Sequence, residues 1–247
     1  MSLRDVATHS FFDQRLLHSG GRPLFELLEG FGERARSLWD QPDAGPWELR
    51  GRSRVHTFSA VTCWVACERL ARIAARLGDR GRANYWRVEA DALHEDIAKR
   101  AWSESRRSFV SCFGGESVDA SLLLLHELGF LDAEDPRFAC TVAAVEGELR
   151  RGPYLFRYAT PDDFGSPRTA FNVCTFWYVG ALAALGRREE ARELFENMLC
   201  RRNPAGLLSE DLDTDTGELW GNFPQTYSLV GLINAAMRLS KRWEDAF

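Results

Sequence analysis

The sequence predicts an all-α fold, and three observations support this prediction. Apolar residues recur at three- and four-residue spacing over most of the 247 residues, which is the periodicity of amphipathic helices. No segment shows the sustained alternation of apolar and polar residues that marks a half-buried strand. Long connections alternate with short ones along the chain. In an α/α barrel or a helical array, this alternation places the long loops on one face, where functional loops usually lie.

Nine helices are predicted in order, and several of their ends have physical reasons. Proline suits a first helical turn, aspartate caps the helix that follows it, and glycine suits the left-handed position at a helix end. The residues concerned are Pro23, Pro136, Asp119, Gly78, Gly129 and Gly186. The predicted helices span residues 4–17, 23–39, 58–77, 81–101, 119–129, 136–150, 170–185, 187–201 and 225–240. Long connections are predicted at 40–57, 102–118, 151–169 and 202–224.

The composition is that of an ordinary globular chain and excludes several classes. The formal net charge is -5 and the basic residues are scattered, so a nucleic-acid partner is not expected. No apolar run reaches the 18 residues of a membrane span, and the first ten residues lack the apolar stretch of a signal peptide. Six cysteines without CxxC spacing indicate buried thiols in a reducing compartment, which predicts a cytoplasmic protein. We expect one domain over residues 1–247.

Two of the long loops each contain a carboxylate in a distinctive setting. Glu48 follows Trp47 in residues 45–51, and Glu210 follows Ser209 in residues 206–213. Hydrolysis of a glycoside requires a protonated carboxylic acid beside the leaving oxygen and a second, ionised carboxylate. The indole of Trp47 favours a protonated neighbour, whereas the polar residues around Glu210 favour its ionised form. The alternative interpretation of each residue is an ordinary surface carboxylate or a helix cap.

Four ordered segments resemble glycoside hydrolase family 15, the glucoamylase, glucodextranase and trehalase-like family of (α/α)6 barrels. The resemblance extends from about residue 11 to residue 240 and is carried by residues 42–70, 108–125, 156–187 and 202–236. It implies that Glu48, in a Trp-Glu motif, is the general acid. It also implies that Glu210, in a Ser-Glu motif followed by Asp-x-x-x-Gly, is the general base of an inverting hydrolase. An inverting pair stands roughly 6.5 to 9.5 Å apart.

The resemblance also implies sugar-binding residues. Arg157 and Tyr158 match the Arg-Tyr motif that lines the sugar pocket of the family, where a guanidinium donates to hydroxyl groups in a fixed fork. The alternative for Arg157 is an ion pair with Asp162 or Asp163. Asp119 is predicted to cap a helix and, through its position in the matched segment, to orient the pocket.

Several aromatic residues are candidates for apolar contacts with a glucosyl ring. Trp47 and Trp220 lie in predicted loops, and we expect them to present a ring face to the substrate. Phe171 is a further candidate. Trp177 occupies a helical position, so the sequence favours a core role for it over a platform role.

Two clusters have a faint resemblance to metal sites. The first resembles the start of a calcium loop but lacks the glutamate at its twelfth position, so a hydrophilic turn is predicted. The second has two thiols one helical turn apart without another soft-ligand pair, so packing is predicted. The residues are Asp211, Asp213, Asp215 and Gly217 in the first cluster, and Cys63, Cys67 and His56 in the second. We expect no metal and no cofactor, since acid, base and water suffice for the hydrolysis.

The resemblance stops short of a whole family barrel, which has twelve helices. Residues 23–39 align with its fifth helix and residues 4–17 with a shortened fourth, so we expect an incomplete barrel without the first three helices and without the family's N-terminal β-sandwich. Such a barrel exposes apolar flanks, which predicts a homo-oligomer, a helper chain or a missing N-terminal segment.

The sequence therefore predicts an inverting glycoside hydrolase that releases glucose from trehalose or short α-glucans, with carbohydrate as its partner. One alternative is a catalytically incomplete α/α domain that binds carbohydrate or protein. Another is a tetratricopeptide-like helical interaction protein, suggested by residues 77–93 and 185–199. Loops of unequal length and the lack of a continuous 34-residue period argue against that solenoid.

Overall fold

The structure is a computed structural model that describes residues 10–13, 20–49, 51, 53–162 and 165–240. The predicted helix 4–17 lies mostly outside the described residues, of which 10–12 are helical. The chain divides into two compact units. The first contains residues 1–102 and 112–114, and the second contains residues 103–111 and 115–247. The single domain expected from the sequence stays a prediction.

In the part of the first unit that the structure describes, three long helices follow residues 10–12: α1 (Arg22–Leu38), α2 (Thr57–Arg76) and α3 (Arg80–Ala101). Their core contains fully buried apolar side chains, including Phe25, Ile73, Trp86 and Ile97. A carboxylate on α1 joins the helices at the edge of this core. Glu29 accepts hydrogen bonds from Arg82 Nε at 2.6 Å and Trp86 Nε1 at 2.7 Å. The indole is thereby buried with its N–H satisfied.

The second unit contains a 3₁₀ helix (Ala120–Leu123), α4 (Leu124–Glu127), α5 (Pro136–Leu149), α6 (Asn172–Ala184), α7 (Arg188–Leu199) and α8 (Thr226–Ser240). The continuous helix predicted over 119–129 is thus replaced by a 3₁₀ segment and a single α-turn. Apolar spacing did not predict this change because the two helix types differ by only one residue in the hydrogen-bond step. The other helices of this unit begin and end within a few residues of the predicted bounds.

Among the described residues, seven short strands depart from the all-α prediction: β1 (Trp102–Ser103), β2 (Ser108–Phe109), β3 (Arg150–Arg151), β4 (Tyr154–Leu155), β5 (Thr169–Phe171), β6 (Asp211–Asp213) and β7 (Leu219–Trp220). Strands β3 and β4 pair antiparallel. Strands β5, β6 and β7 form an antiparallel sheet in that order, with Phe171 opposite Asp211 and Asp211 opposite Trp220. Two or three residues are too few to show alternation, so the fold is mostly helical with short strands in the long connections.

The predicted helix ends are confirmed. Pro23 and Pro136 occupy the first turns of α1 and α5. Gly78, Gly129 and Gly186 have φ values of 77°, 79° and 78° after their helices. Within the part of the chain that the structure describes, no helix is long and apolar enough to cross a membrane.

Candidate active site

The Glu48 loop, residues 43–54, lies in the first unit and is closed by backbone hydrogen bonds. Asp43 and Arg54 form an antiparallel bridge, with N···O distances of 2.9 and 3.1 Å in the two directions. At the tip, the N–H of Glu48 donates to the carbonyl of Gly45 at 3.2 Å. Asp43 Oδ1 accepts from the N–H of Gly45 at 2.8 Å. These bonds form a tight turn that ends at the predicted acid.

The tip of the Glu48 loop rests on a buried imidazole. Gly45 has a φ of +68°, and a Cβ added there would lie 2.6 Å from the ring of His56. His56 is only 4% exposed, and its Nδ1 lies 3.4 Å from Cys112 Sγ. A side chain at position 45 would therefore be strained by the backbone and would collide with a ring that has little room to move.

Glu48 itself has an unusual backbone. Its φ is +54°, one of two positive values among the described residues other than glycine. A left-handed conformation costs a side-chain-bearing residue about 1 to 2 kcal/mol. Its side chain is exposed, and none of the described residues donates a hydrogen bond to its carboxylate. Trp47, the preceding residue, is half-buried. Strain of this kind is often found at functional positions.

The Glu210 loop, residues 203–225, lies in the second unit and is held by buried polar groups. The N–H of Glu210 donates to the carbonyl of Asn222, and the carbonyl of Glu210 accepts from the N–H of Asn172, both at 2.9 Å. The preceding carbonyl, that of Ser209, accepts from Asn172 Nδ2 at 2.9 Å and from Ser228 Oγ at 2.7 Å. The starts of α6 and α8 thus fix the backbone on both sides of Glu210.

The carboxylate of Glu210 has two different oxygens. Oε2 accepts hydrogen bonds from Asn222 Nδ2 at 2.7 Å and from the Asn222 backbone N–H at 3.2 Å. No described residue donates to Oε1. Gly221, with a φ of +76°, lies against this side chain. Glu210 is half-buried, so its carboxylate is both anchored and reachable.

Arg157 binds a carboxylate that was not predicted as its partner. Its Nη2 lies 2.7 and 3.0 Å from the two carboxylate oxygens of Asp211, which also accepts from Thr169 Oγ1 at 2.9 Å. The alternative prediction of an ion pair with Asp162 is therefore wrong, and Asp163 lies outside the described residues. Pairing of β5 with β6 brings Asp211 to Arg157 across 54 residues of sequence, which no local pattern indicates.

Burial raises the pKa of the Asp211 carboxyl, although the adjacent Arg157 guanidinium opposes this effect. The same guanidinium lies 5.0 Å from the centre of the Phe171 ring, within the range of a cation–π contact. Phe171 is itself buried. Its ring therefore packs against Arg157 and is not an exposed platform for a sugar.

Asp119 and Tyr158 lie next to each other. They form an antiparallel bridge, and the N–H of Ala120 donates to the carbonyl of Arg157 at 2.9 Å. Asp119 Oδ1 accepts from the N–H of Ser121 at 2.9 Å and from its hydroxyl at 2.5 Å, so the cap prediction is confirmed. The Tyr158 hydroxyl donates to Asp162 at 2.5 Å, and burial raises the pKa of Tyr158. Asp119, Arg157 and Tyr158 are therefore brought together.

The predicted aromatic candidates differ in exposure. Trp220, on β7 opposite Asp211, is 53% exposed. Phe223 and Tyr227 are also exposed, and sequence reasoning did not single them out. Trp177 is half-buried on α6, so its side chain is only partly in the core position that the sequence favours. The second unit thus presents several aromatic faces close in sequence to Glu210.

The two faint metal clusters have ordinary structural roles. Asp213 caps the turn between β6 and β7 by accepting from the N–H groups of Asp215 and Thr216, as the hydrophilic-turn prediction requires. Burial raises the pKa of Cys63 to about 11 and that of Cys67 to about 12, so both stay protonated thiols. Across the described ranges, no group of three or more His, Cys, Asp or Glu side chains is placed to hold a metal ion.

Sequence reasoning missed the residues that hold Glu210. Asn172 and Ser228 fall inside the predicted helices 170–185 and 225–240, and Asn222 falls in the predicted connection 202–224. Each is polar within or beside an apolar segment, and that was the available signal. A buried asparagine or serine has to satisfy its hydrogen-bonding groups, so such a residue often fixes the backbone of a neighbouring segment.

A helical scaffold that presents carboxylates and exposed aromatic rings on its long connections has the groups that glycoside hydrolysis uses. The family model described as glycosyl hydrolases family 15 matches residues 35–237. The chain therefore belongs to glycosyl hydrolases family 15, as the sequence resemblance predicts. Both carboxylate loops lie inside the matched range.

Curated relatives agree with this membership, and a solved structure agrees with the fold. The chain is 36% identical to a trehalase of Mycobacterium tuberculosis over 96% of its own length and 36% of that protein's. It is 35% identical to a trehalase of Thermoplasma acidophilum over 91% of its length and 38% of that protein's. The fold resembles a bacterial glucoamylase complexed with acarbose, with a TM-score of 0.73, 17% identity, and coverage of 88% of this chain and 38% of that chain. The chain spans a little over a third of the trehalases it matches.

Proposed function

We propose that this chain hydrolyses an α-glucosidic bond with inversion, that Glu48 is the general acid and Glu210 the general base, and that trehalose is the substrate. The substrate is proposed because two trehalases match nearly all of the chain. The observation that supports the base most directly is the carboxylate of Glu210, anchored at Oε2 and without a protein donor at Oε1.

The proposed reaction needs one proton donor and one proton acceptor. Glu48 protonates the glycosidic oxygen as the bond from that oxygen to C1 breaks. Glu210 takes a proton from a water molecule whose oxygen forms the new bond to C1 from the opposite face. Attack from the opposite face converts the α-linked glucosyl unit into β-glucose. The leaving unit of trehalose keeps its own α-configuration, so the first products are one β-glucose and one α-glucose.

The remaining predicted residues fit roles in sugar binding. The fixed guanidinium of Arg157 retains N–H groups that are not used on Asp211, and these can donate to sugar hydroxyls. Trp220 and Trp47 supply indole faces for the apolar face of a glucosyl ring. Tyr158 and Asp119 hold the segment that carries Arg157. These assignments rest on the family motif and on the placement of each residue within its own unit.

We infer that the helical fold is an (α/α)6 barrel and that its outer helices associate with further helical surface. On α1, Leu27, Phe31 and Leu38 are exposed along one stripe, and on α8, Ile233 and Met237 are exposed. Exposed apolar stripes of this kind commonly mark contacts between chains. Self-association or binding of a helper chain is therefore proposed. A single monomeric species in sedimentation at micromolar concentration would contradict it.

We also infer a reducing compartment, and hence the cytoplasm. The six cysteines are free thiols, four of them at least partly screened from solvent in helices of the two units. Thiols that stay unpaired are typical of reducing compartments.

The experiment that tests the activity is a proton NMR time course of the purified chain with trehalose, and separately with maltotriose. We expect equal early signals of β- and α-glucose from trehalose, with the excess of α-glucose decaying as mutarotation proceeds. The double variant Glu48→Gln/Glu210→Gln is the blank that removes a contaminating hydrolase from consideration. Early release of α-glucose alone from trehalose would contradict inversion. Release of glucose from maltotriose but not from trehalose would overturn the proposal that trehalose is the substrate.

A further inference from the structure

Asn222 is the residue that holds the side chain of Glu210. Its side-chain amide and its backbone N–H both donate to the same carboxylate oxygen, Oε2, at 2.7 and 3.2 Å. Hydrogen bonds to an ionised acceptor are shorter and about twice as strong as neutral ones. The two donors converge on one atom, so they fix the rotation of the carboxylate.

Gly221 completes this arrangement by leaving space. A Cβ added at position 221 would lie 3.1 Å from Glu210 Cβ and 3.2 Å from Oε2. Its φ of +76° is also a conformation that residues with a side chain rarely adopt. The missing side chain lets the carboxylate lie directly against the backbone that carries Asn222.

The two oxygens of Glu210 are consequently unequal. Oε2 is saturated by donors from one residue, whereas Oε1 receives no hydrogen bond from any residue that the structure describes. Asp211, the next residue, interacts electrostatically with Glu210 and is itself bound by Arg157. Neither donates a hydrogen bond to Glu210, so Asn222 alone fixes its orientation among the described side chains.

We propose that Gly221 and Asn222 form a cradle that divides the tasks of the Glu210 carboxylate: Oε2 is the anchored oxygen, and Oε1 takes the proton from water. Asn222 is then a positioning residue that acts through Glu210. The inference rests on the proposed function for its catalytic part, but the anchoring itself can be measured without turnover.

The side chain of Asn222 can be changed without removing the backbone link. The carbonyl of Asn222 accepts the N–H of Glu210 at 2.9 Å, and this bond remains in any variant at the position. Asn203 supplies a matched control in the same loop. Its Oδ1 accepts from the N–H groups of Ala205 and Leu207 at 3.0 and 2.9 Å, so it shapes the loop without a hydrogen bond to Glu210.

The experiment compares Asn222→Ala, Asn222→Asp and Asn203→Ala with the original chain. Carbon-13 NMR follows the side-chain carboxyl of Glu210 against pH, with its signal assigned by its loss in Glu210→Gln. In Asn222→Ala we expect the midpoint to move upward by about one pH unit, because the charged form loses a donor. In Asn222→Asp it moves upward by about two or more, because two adjacent carboxylates share a proton.

Trehalose hydrolysis gives the second readout. For Asn222→Ala we expect kcat to fall about tenfold to a hundredfold, with KM within about threefold, and the acidic limb of the kcat/KM profile to follow the NMR midpoint. Asn203→Ala should leave the midpoint in place and kcat within about threefold.

An unchanged carboxyl titration in both Asn222 variants would overturn the cradle, and so would an equal shift in Asn203→Ala, which would indicate general loosening of the loop. Full turnover by Glu210→Gln, with the NMR shifts present, would instead reject Glu210 as the base and leave the anchoring intact. The two failures are therefore separable.

Discussion

The Glu48 loop and the Glu210 loop each present one carboxylate, but they hold it by different means. Glu48 is positioned by its backbone, through a tight turn, a positive φ and the contact between Gly45 and His56. Glu210 is positioned through its side chain by the exposed Asn222 and through its backbone by the buried Asn172. One carboxylate has no donor among the described residues, and the other has two.

This difference suits the two proposed roles. A general acid has to carry a proton when the substrate binds, and hydrogen-bond donors aimed at its carboxylate would favour loss of that proton. A general base has to be ionised, and donors stabilise that state. Placement by backbone conformation therefore suits Glu48, and placement by amide donors suits Glu210. The protonation state that a catalytic carboxylate requires thus limits the kind of support it can have.

Loss of either carboxylate should cause the greatest change in activity, and the two losses should depend differently on the leaving group of the substrate. With trehalose, Glu48→Gln and Glu210→Gln should each lower kcat by about 10² to 10⁴. With α-glucosyl fluoride, whose leaving group needs little protonation, Glu48→Gln should recover to within about tenfold of the original rate, while Glu210→Gln should not. Steady-state fluoride and glucose release measure both. Equal loss on both substrates in both variants would remove the distinction between acid and base.

A second prediction concerns the backbone support of the Glu48 loop. Gly45→Ala should lower the free energy of unfolding by about 3 kcal/mol, because it adds left-handed strain and a collision with the buried ring of His56. Gly206→Ala is the matched control in the Glu210 loop, since its φ is +79° but nothing lies within 4 Å of an added Cβ. It should cost about 1 kcal/mol. Urea unfolding compares the two, and equal losses would show that the His56 contact contributes nothing.

Acid pH should weaken the second unit through Glu146, which lies on α5. Arg187 at 2.8 Å, with Arg150 at 2.9 Å, holds the pKa of this carboxyl down at about 2. The folded-state pKa lies below the unfolded one, so the stabilisation is present above about pH 4.5 and is lost as pH falls toward 2. Glu146→Gln should remove roughly 2 kcal/mol at pH 7 and flatten that part of the stability profile.

Denaturant titrations at several pH values measure this effect. Glu193→Gln, at an exposed position of α7, is the control and should change stability by less than about 0.5 kcal/mol. A profile for Glu146→Gln that parallels the original chain between pH 4.5 and pH 2 would exclude Glu146 as the cause.

The smallest predicted effect is the stability difference between glycine and alanine, which should have opposite signs at positions 48 and 210. At position 48, glycine should be more stable than alanine by about 1 kcal/mol, because only alanine pays for the positive φ. At position 210, whose φ is not positive, glycine should be less stable than alanine by about 0.5 to 1 kcal/mol, because its unfolded chain is freer. Thermal unfolding of the four variants gives both differences. The same sign at both positions would contradict a strained Glu48.

Local chemistry explains which features were predictable. Pro136 at a helix start, Gly78 at a helix end and Asp119 as a cap depend on a few neighbouring residues, so the sequence is sufficient for them. The strands β5, β6 and β7 were missed because two or three residues carry no periodicity. The pairing of Arg157 with Asp211 was missed because it depends on the register of β5 against β6, which brings together residues far apart in sequence.

The helical class, most helix bounds and the two carboxylate loops follow from the amino-acid sequence, because apolar spacing and capping chemistry are local and the Trp-Glu and Ser-Glu motifs are contiguous. The way in which each carboxylate is held follows from the folded chain. The amide of Asn222 reaches Glu210 across 12 residues, and the carbonyls around Glu210 are satisfied by Asn172 and Ser228 from two other helices. Hydrogen bonds of this kind depend on distances and angles that exist only after the chain has packed.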